Sequence, residues 1–290
     1  MKNTSLFRKP FSQWIIFILI FIFACKKETA ENPSSNNPNA SPYSLTPKPI
    51  KISNHINGYY EYLPEGYFTD PASTKYPLLI FFHGGAEMGQ DSAALSKLLL
   101  HGPLKFVKNG TLPAAFTVNG KVYKFIIVAP QFSSTEDSYP GEVDRLIEYA
   151  KQNYRVDNSR IYLTGLSFGG GVSWNYAGKN ASYAKKIAAI VPVAAYISEL
   201  RDEFHINPGK AQIIANSNLP VWSTHNSGDN ICPLSWTVNA QNLVKNYKAN
   251  PLPRLTVFNA NIHEGWTLTY DPAFKENGMS IYEWMLQYHR

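Results

Sequence analysis

The pentapeptide GLSFG at residues 165–169 constrains the fold of this chain more than any other feature. It follows the β-rich run at residues 160–164 and precedes small residues that can open a helix. A strand that turns sharply into a helix needs glycines two positions before and after the central serine, because side chains there would collide. The pattern predicts a turn that presents Ser167 as an exposed, strained nucleophile; the alternative is an ordinary glycine-rich turn.

A serine nucleophile needs a base, and the base needs an acid that orients it. A strand predicted at residues 219–225 leads into a tight loop that contains Asp229, and a last strand at 254–258 leads into a loop that contains His263. An Asp beside a Gly is also a common turn residue, so Asp229 carries weight only with its partners. The order Ser167, Asp229, His263 predicts a nucleophile, an orienting acid and a general base.

Backbone donors for an oxyanion are predicted in two places. The apolar run at residues 76–82 is typical of a buried parallel strand and ends in a His-Gly-Gly sequence at 83–85. Glycines past a strand leave N–H groups free to point into a cleft, so we assign one donor to Gly85, with Ala86 as the neighbouring candidate. The second donor is the N–H of Phe168. His83 precedes the serine, and its expected role is to brace the loop.

Three further side chains are candidates for substrate binding. Gln131 directly follows a strand predicted at residues 124–130, where it either lines the cleft or is a solvated loop residue. Trp222 and Trp266 are candidates for the wall of an aromatic or sugar-binding pocket. The alternative for both tryptophans is a place in the core.

Predicted strands alternate with predicted helices through the domain. Residues 141–153 have the spacing of an amphipathic helix, and residues 185–193 are the next strand region after Ser167. Such alternation indicates an α/β fold, a mostly parallel sheet with helices on both faces and a site at the carboxyl ends of the strands. Only residues 197–219 separate the following two predicted strands, so we expect an open cleft without a large cap domain.

Several segments together resemble the small secreted esterases of the α/β-hydrolase superfamily, a group of feruloyl esterases and of polyhydroxybutyrate depolymerase-like and phospholipase/carboxylesterase-like proteins. The resemblance spans about residues 55–290 and is carried by GYYEYLPEGY at 58–67, YPL at 76–78, HGG at 83–85, APQ at 129–131, VD at 156–157 and RIYLTGLS at 160–167. It implies an α/β-hydrolase fold and carboxylic ester hydrolysis by a serine triad. The family commonly has His-Gly after the strand that precedes the acid, whereas this chain has His225-Asn226, which favours a different shape for the loop that holds Asp229.

The amino-terminal segment is typical of export. Lys2, Arg8 and Lys9 precede a short apolar run at residues 14–23, which ends in Ala24 and Cys25. This arrangement resembles a bacterial lipobox, which implies that Cys25 carries a lipid and anchors the protein to a membrane on its periplasmic or cell-surface face. The alternative is a plain signal peptide or membrane anchor. We therefore predict a signal peptide at residues 1–24, a disordered tether rich in Pro, Asn and Ser at 25–50, and a catalytic domain at 51–290.

Composition narrows the possible functions. Removing residues 1–24 takes away three positive and no negative side chains, so the formal charge falls from +6 to +3, and nothing indicates a nucleic-acid partner. Of the 2 cysteines only Cys232 then remains without lipid, which leaves no internal disulfide. No metal-spaced cluster or phosphate loop is evident, so we expect neither metal nor cofactor.

Three function classes are consistent with these features. A serine esterase acting on short acyl or hydroxycinnamoyl esters of carbohydrates is favoured. The alternatives are a serine peptidase on the same fold and a catalytically silent surface protein that binds carbohydrate.

Overall fold

A computed structural model describes residues 43–133 and 139–290. The strands in this part of the chain are β1 (Ser44–Lys48), β2 (Ile56–Leu63), β3 (Tyr76–Phe82), β4 (Phe116–Val118), β5 (Lys121–Tyr123), β6 (Ile126–Phe132), β7 (Val156–Leu166), β8 (Ala189–Val193), β9 (Trp222–Asn226) and β10 (Arg254–Phe258). The helices are α1 (Gly102–Lys108), α2 (Tyr139–Asn153), α3 (Phe168–Lys179), α4 (Ala181–Lys186), α5 (Pro208–Asn216), α6 (Leu234–Asn246), α7 (Trp266–Tyr270) and α8 (Ile281–Leu286). Short 3₁₀ helices occur at Gly85–Glu87 and Ala94–Leu99.

Eight of these strands form one sheet in the order β1-β2-β6-β3-β7-β8-β9-β10. β1 pairs antiparallel with β2, and β2 pairs antiparallel with β6. All neighbours from β6 to β10 are parallel. The predicted α/β class and mostly parallel sheet are therefore confirmed.

The sheet is buried on both faces, as its central strand β3 shows, where all seven residues are buried. In β3, Leu78, Ile80 and Phe82 pack into one core and the alternate residues Leu79 and Phe81 pack into the other, as the two-residue repeat of a strand requires. The first core is completed by the predicted stripe of α2, formed by Val143, Leu146, Ile147 and Ala150. The second is completed largely by α1 and α8. Helices thus cover both faces.

Several predicted boundaries differ from the structure. The strand predicted at 124–130 runs from 126 to 132 and so includes Gln131, and the strand predicted at 219–225 begins at 222. Two further differences concern residues 185–186 and the tether. Residues 185–186 end helix α4 instead of beginning a strand, because the Lys186 ammonium pairs with Asp144 at 2.7 Å and with Glu148 at 3.0 Å on helix α2. The predicted tether at 25–50 also extends too far, because residues 44–48 form the edge strand β1. Its Lys48 binds the buried Glu61 carboxylate at 2.8 Å, and an edge strand tolerates its proline.

The predicted signal peptide at 1–24, the lipidation residue Cys25 and the first part of the tether lie outside the described residues. Among the helices that the structure does describe, none is long and apolar enough to cross a membrane.

Candidate active site

The turn between β7 and α3 has the geometry predicted from its sequence. Ser167 has φ 51° and ψ −116°, a left-handed conformation that costs free energy for any residue other than glycine. A Cβ atom on Gly165 would lie 2.5 Å from the carbonyl carbon of Gly169, and one on Gly169 would lie 2.1 Å from the carbonyl oxygen of Phe82. Both glycines are therefore needed for the sharp turn.

Backbone hydrogen bonds hold this turn in place from three sides. The Ser167 N–H donates to the Val193 carbonyl at the end of β8 at 2.8 Å. The Ser167 carbonyl accepts from the N–H of Gly171 at 3.1 Å and from the N–H of Tyr196 at 2.9 Å. The strained serine is thus fixed by the neighbouring strand, by its own helix and by the loop after β8.

Ser167, His263 and Asp229 form one hydrogen-bonded line at the carboxyl ends of β7, β10 and β9. The His263 Nε2 lies 2.8 Å from the Ser167 hydroxyl, and its Nδ1 lies 2.7 Å from Asp229 Oδ2. A carboxylate only accepts, so Nδ1 carries the proton and Nε2 is left to accept from the serine. The ring is therefore held in the tautomer that a general base needs.

The Asp229 side chain is fully buried and its second oxygen is also bound. Oδ1 accepts the N–H groups of Ile231 and Cys232, each at 2.9 Å. Hydrogen bonds to a buried carboxylate offset part of the cost of removing it from water. The acid loop therefore holds Oδ2 in place towards His263.

Each predicted oxyanion donor is the first residue of a helix. Gly85 opens the 3₁₀ helix that follows β3, and Phe168 opens α3. The first N–H groups of a helix have no partner within it, and neither of these two has a protein acceptor among the described residues. Their assignment as oxyanion donors stays a prediction.

No protein-family model matches the chain, and no curated protein sequence matches it either. Solved structures do. A thermostable esterase is 18% identical with a TM-score of 0.57, and the match covers 86% of this chain but only 63% of the esterase. A ferulic acid esterase is 16% identical with a TM-score of 0.54, covering 78% of this chain and 92% of its own. A putative dienelactone hydrolase from Klebsiella pneumoniae subsp. pneumoniae is 14% identical with a TM-score of 0.51, covering 84% and 95%.

This chain has the α/β-hydrolase fold. At these identities the likeness establishes the fold and leaves the activity to the residues of the site. Within the described residues no large cap domain interrupts the α/β-hydrolase sheet, since the chain between β8 and β9 contains one helix, α5.

His83 braces the loop after β3, as predicted. Its Nδ1–H donates to the Gly84 carbonyl at 2.6 Å, and its Nε2 accepts the Phe132 N–H at 2.9 Å. Burial lowers the pKa of His83 to about 4. The ring is therefore neutral at physiological pH and joins β3 to the end of β6.

Two of the predicted substrate-binding side chains are corrected by the structure. Gln131 is buried, and its amide donates to the carbonyls of Glu87 at 2.8 Å and Ala94 at 2.7 Å, so it braces a loop instead of lining the cleft. Trp222 is 0% exposed and its indole N–H donates to Thr256 at 2.8 Å. It belongs to the core, which was the alternative for that residue.

Trp266 lies beside the hydrogen-bonded line. Its ring meets the His263 ring edge-on at 5.3 Å between centroids, and it also meets the His101 ring at 5.8 Å between centroids. The Nε2 of His101 is 3.6 Å from the buried Glu87 carboxylate. The role of Trp266 in substrate binding stays a prediction, now with a position next to the proposed base.

Sequence reasoning did not single out Cys232 as part of the site. Burial and the nearby Asp229 raise the pKa of the thiol to about 12, while its contact with the Ser167 hydroxyl lowers that pKa. The thiol is therefore a protonated, apolar-like neighbour of the nucleophile. The sequence signal that could have indicated this neighbour is its position three residues after Asp229.

Among the described residues no group of three or more His, Cys, Asp or Glu side chains is arranged to hold a metal ion.

Proposed function

We propose that the protein is a serine carboxylic ester hydrolase that works through an acyl-enzyme. The observation that carries this proposal is the continuous line from Ser167 through His263 to the buried Asp229, with distances of 2.8 and 2.7 Å, on a strained strand-to-helix turn. The similarity in fold to an esterase and a ferulic acid esterase supports it.

Acylation follows from the positions of these groups. The Nε2 of neutral His263 takes the proton of the Ser167 hydroxyl as its oxygen attacks the ester carbonyl carbon. The resulting oxyanion is stabilised by the N–H groups of Gly85 and Phe168. When the tetrahedral intermediate collapses, the bond to the alcohol oxygen breaks and the imidazolium returns its proton to the leaving alcohol. Asp229 stabilises the imidazolium meanwhile.

Deacylation repeats the same steps with water. His263 takes a proton from a water molecule, whose oxygen attacks the acyl carbon of the Ser167 ester. The intermediate collapses by breaking the bond to the serine oxygen, which recovers its proton from His263. The carboxylic acid is released and the enzyme is regenerated.

We infer that the substrates are short acyl or hydroxycinnamoyl esters of carbohydrates. In the part of the chain that the structure describes, the short connection between β8 and β9 adds no large cap at the carboxyl end of the sheet, so a bulky alcohol can remain outside while the acyl group enters. Trp266, beside His263, offers an aromatic surface to the substrate. A series of p-nitrophenyl esters and methyl ferulate tests this, with kcat/KM expected to peak at acetyl to butyryl or feruloyl groups. A preference for long acyl chains with interfacial activation would contradict it.

The serine is tested by Ser167→Ala, with Ser173→Ala in the following helix α3 as the matched control. Removing the nucleophile is expected to lower kcat by about 10³-fold or more without changing the fold. Ser173→Ala should retain activity because Ser173 only donates to its own helix, to the Gly169 carbonyl at 3.1 Å. Activity of Ser167→Ala within tenfold of the wild type would refute the proposal, and faster cleavage of a peptide amide than of the esters would favour a peptidase.

We further propose that the protein is exported and anchored to a bacterial membrane by a lipid on Cys25. The charged start, apolar run and Ala24-Cys25 sequence support this. Mass spectrometry of the mature amino terminus and membrane fractionation test it. Cys25→Ala should release the protein or leave it unprocessed, and a wild-type amino terminus without lipid would contradict the proposal.

A further inference from the structure

The last two residues of β9 contact both loops that hold the proposed acid and base. Consecutive side chains in a strand point to opposite faces of the sheet. His225 contacts helix α6 on one side, and Asn226 contacts the loop after β10 on the other. Both side chains are buried. Two adjacent residues thus contact two different loops, the one that carries Asp229 and the one that carries His263.

Asn226 fixes the loop that carries His263. Its side-chain N–H donates to the Ile262 carbonyl at 2.9 Å, directly before His263 in the chain. Ile262 is itself exposed, so little apolar packing holds this loop down. The Asn226 amide therefore supplies a partly buried, directional contact one residue away from the base.

Backbone bonds continue the contact between the two loops. The Ser227 N–H donates to the Phe258 carbonyl at 2.8 Å, and the Gly228 N–H donates to the Ala260 carbonyl at 2.9 Å. A Cβ atom on Gly228 would lie 2.0 Å from the side-chain oxygen of Asn261, so the loops touch closely there. These bonds end at Ala260, and the Asn226 side chain reaches beyond them to the residue before His263.

His225 fixes the loop that carries Asp229. A carbonyl only accepts, so the 2.7 Å contact with the Cys232 carbonyl requires the proton on His225 Nε2. The same Nε2–H lies 3.4 Å from Asp229 Oδ2, and Nδ1 accepts the Thr237 hydroxyl at 3.0 Å. Burial lowers the pKa of His225, so the ring remains neutral beside the carboxylate. His225 thus binds the loop from Asp229 to Cys232 to the end of β9, and it places an N–H donor next to the Asp229 carboxylate.

We propose that His225 and Asn226 are positioning residues, of which His225 holds the Asp229 loop and Asn226 holds the His263 loop in reach of Ser167. The proposal rests on the esterase function proposed above. Asn226 stands where the resembled family commonly has glycine, which has no side chain to make this contact.

Asn226→Ala is the first test, with Gln241→Ala as the matched control. Gln241 is also buried and also donates a side-chain amide to a carbonyl of β10, that of Arg254 at 2.7 Å, but at the opposite end of the strand. We expect Asn226→Ala to lower kcat by about 10- to 100-fold with KM changed less than about threefold, because a misplaced base costs rate more than binding. Gln241→Ala should leave kcat within about twofold at a similar loss of stability.

Asn226→Asp keeps the shape and replaces the donor with an acceptor that faces the Ile262 carbonyl. It should lower kcat at least as much as Asn226→Ala. Equal kcat losses in Asn226→Ala and Gln241→Ala, or unchanged kcat in both Asn226 variants, would overturn the role of Asn226.

His225 is tested by a conservative and a non-conservative change. His225→Gln retains an N–H donor for the Cys232 carbonyl and should keep more of kcat than His225→Leu, which has none. Thr237→Val is the milder variant if His225→Leu does not fold, because it removes only the hydroxyl that donates to Nδ1, and it should lower kcat with little effect on KM. Equal kcat in all these variants and the wild type would contradict the role of His225.

A proton NMR readout separates this inference from the proposed function. The hydrogen-bonded Nδ1–H of His263 should give a far-downfield signal in the wild type and in Gln241→Ala, and a broadened or absent signal in Asn226→Ala. This measurement needs no substrate. A wild type that shows the signal but hydrolyses no ester would refute the esterase proposal alone, whereas an unchanged signal in Asn226→Ala would refute the positioning role alone.

Discussion

Protonation of His83 should destabilise the fold under mildly acidic conditions. In the native structure its Nδ1–H donates to the Gly84 carbonyl and its Nε2 accepts the Phe132 N–H, so both ring nitrogens are used by the neutral form. A second proton on Nε2 would face the Phe132 N–H and would place a charge in the buried loop. Protonation therefore requires this bridge between β3 and β6 to break.

The magnitude follows from the pKa of His83, which burial lowers from 6.5 to about 4. The unfolded chain binds this proton near pH 6.5 and the folded protein binds it only near pH 4, so between these values the unfolded state holds more protons. The free energy of unfolding therefore rises with pH across this window, and lowering the pH from 7 to 4 removes about 3 kcal/mol. Above pH 6.5 the contribution of His83 is fully present.

Urea unfolding monitored by tryptophan fluorescence between pH 7 and pH 4 measures this effect. His83→Gln is the informative variant, since its side chain can still accept the Phe132 N–H but does not titrate. It should be less stable than the wild type at pH 7, and its stability should fall by about 3 kcal/mol less on acidification. Other titrating groups, including His225, affect both proteins alike. Parallel stability–pH curves for the two proteins would refute the reasoning.

Further changes test the turn, the tryptophans and the domain start. Gly169→Ala should lower the free energy of unfolding by about 1–3 kcal/mol or more, because its methyl group meets the Phe82 carbonyl; urea unfolding that is unchanged would contradict this. Trp222→Ala should cost about 3–5 kcal/mol in stability, whereas Trp266→Ala should mainly change kcat/KM; the opposite result would reverse their assignments. A chain starting at residue 49 should unfold at lower urea than one starting at 43, since it lacks β1, and equal midpoints would show that β1 contributes nothing.

The sequence predicted features that depend on local geometry or on chain order. The GLSFG turn is dictated by contacts within a few residues, and the observed clashes at Gly165 and Gly169 are those expected of it. The meeting of Ser167, Asp229 and His263 follows from a more general rule. In a parallel sheet all carboxyl ends lie at one edge, so loops after β7, β9 and β10 converge there.

Features that depend on distant partners could not be predicted in the same way. The amide of Gln131 is bound by carbonyls 44 and 37 residues away, and nothing near Gln131 in the sequence indicates this. The residues of β1 have a composition typical of a tether. They form a strand because they pair with β2 and because Lys48 binds Glu61, and neither contact is evident from the local sequence. The sequence shows that Asn226 stands where the resembled family commonly has glycine. Only the structure shows that its side chain donates to the Ile262 carbonyl.

The backbone of Ser167 places opposite demands on one residue. At φ 51° and ψ −116° the side chain of Ser167 lowers the free energy of unfolding by about 1–3 kcal/mol relative to a glycine at the same position. Ser167→Gly should therefore be inactive and more stable than the wild type, while Ser167→Ala keeps the strained Cβ. Selection for thermal robustness alone would remove the serine, so its presence marks a position where stability is sacrificed for reactivity.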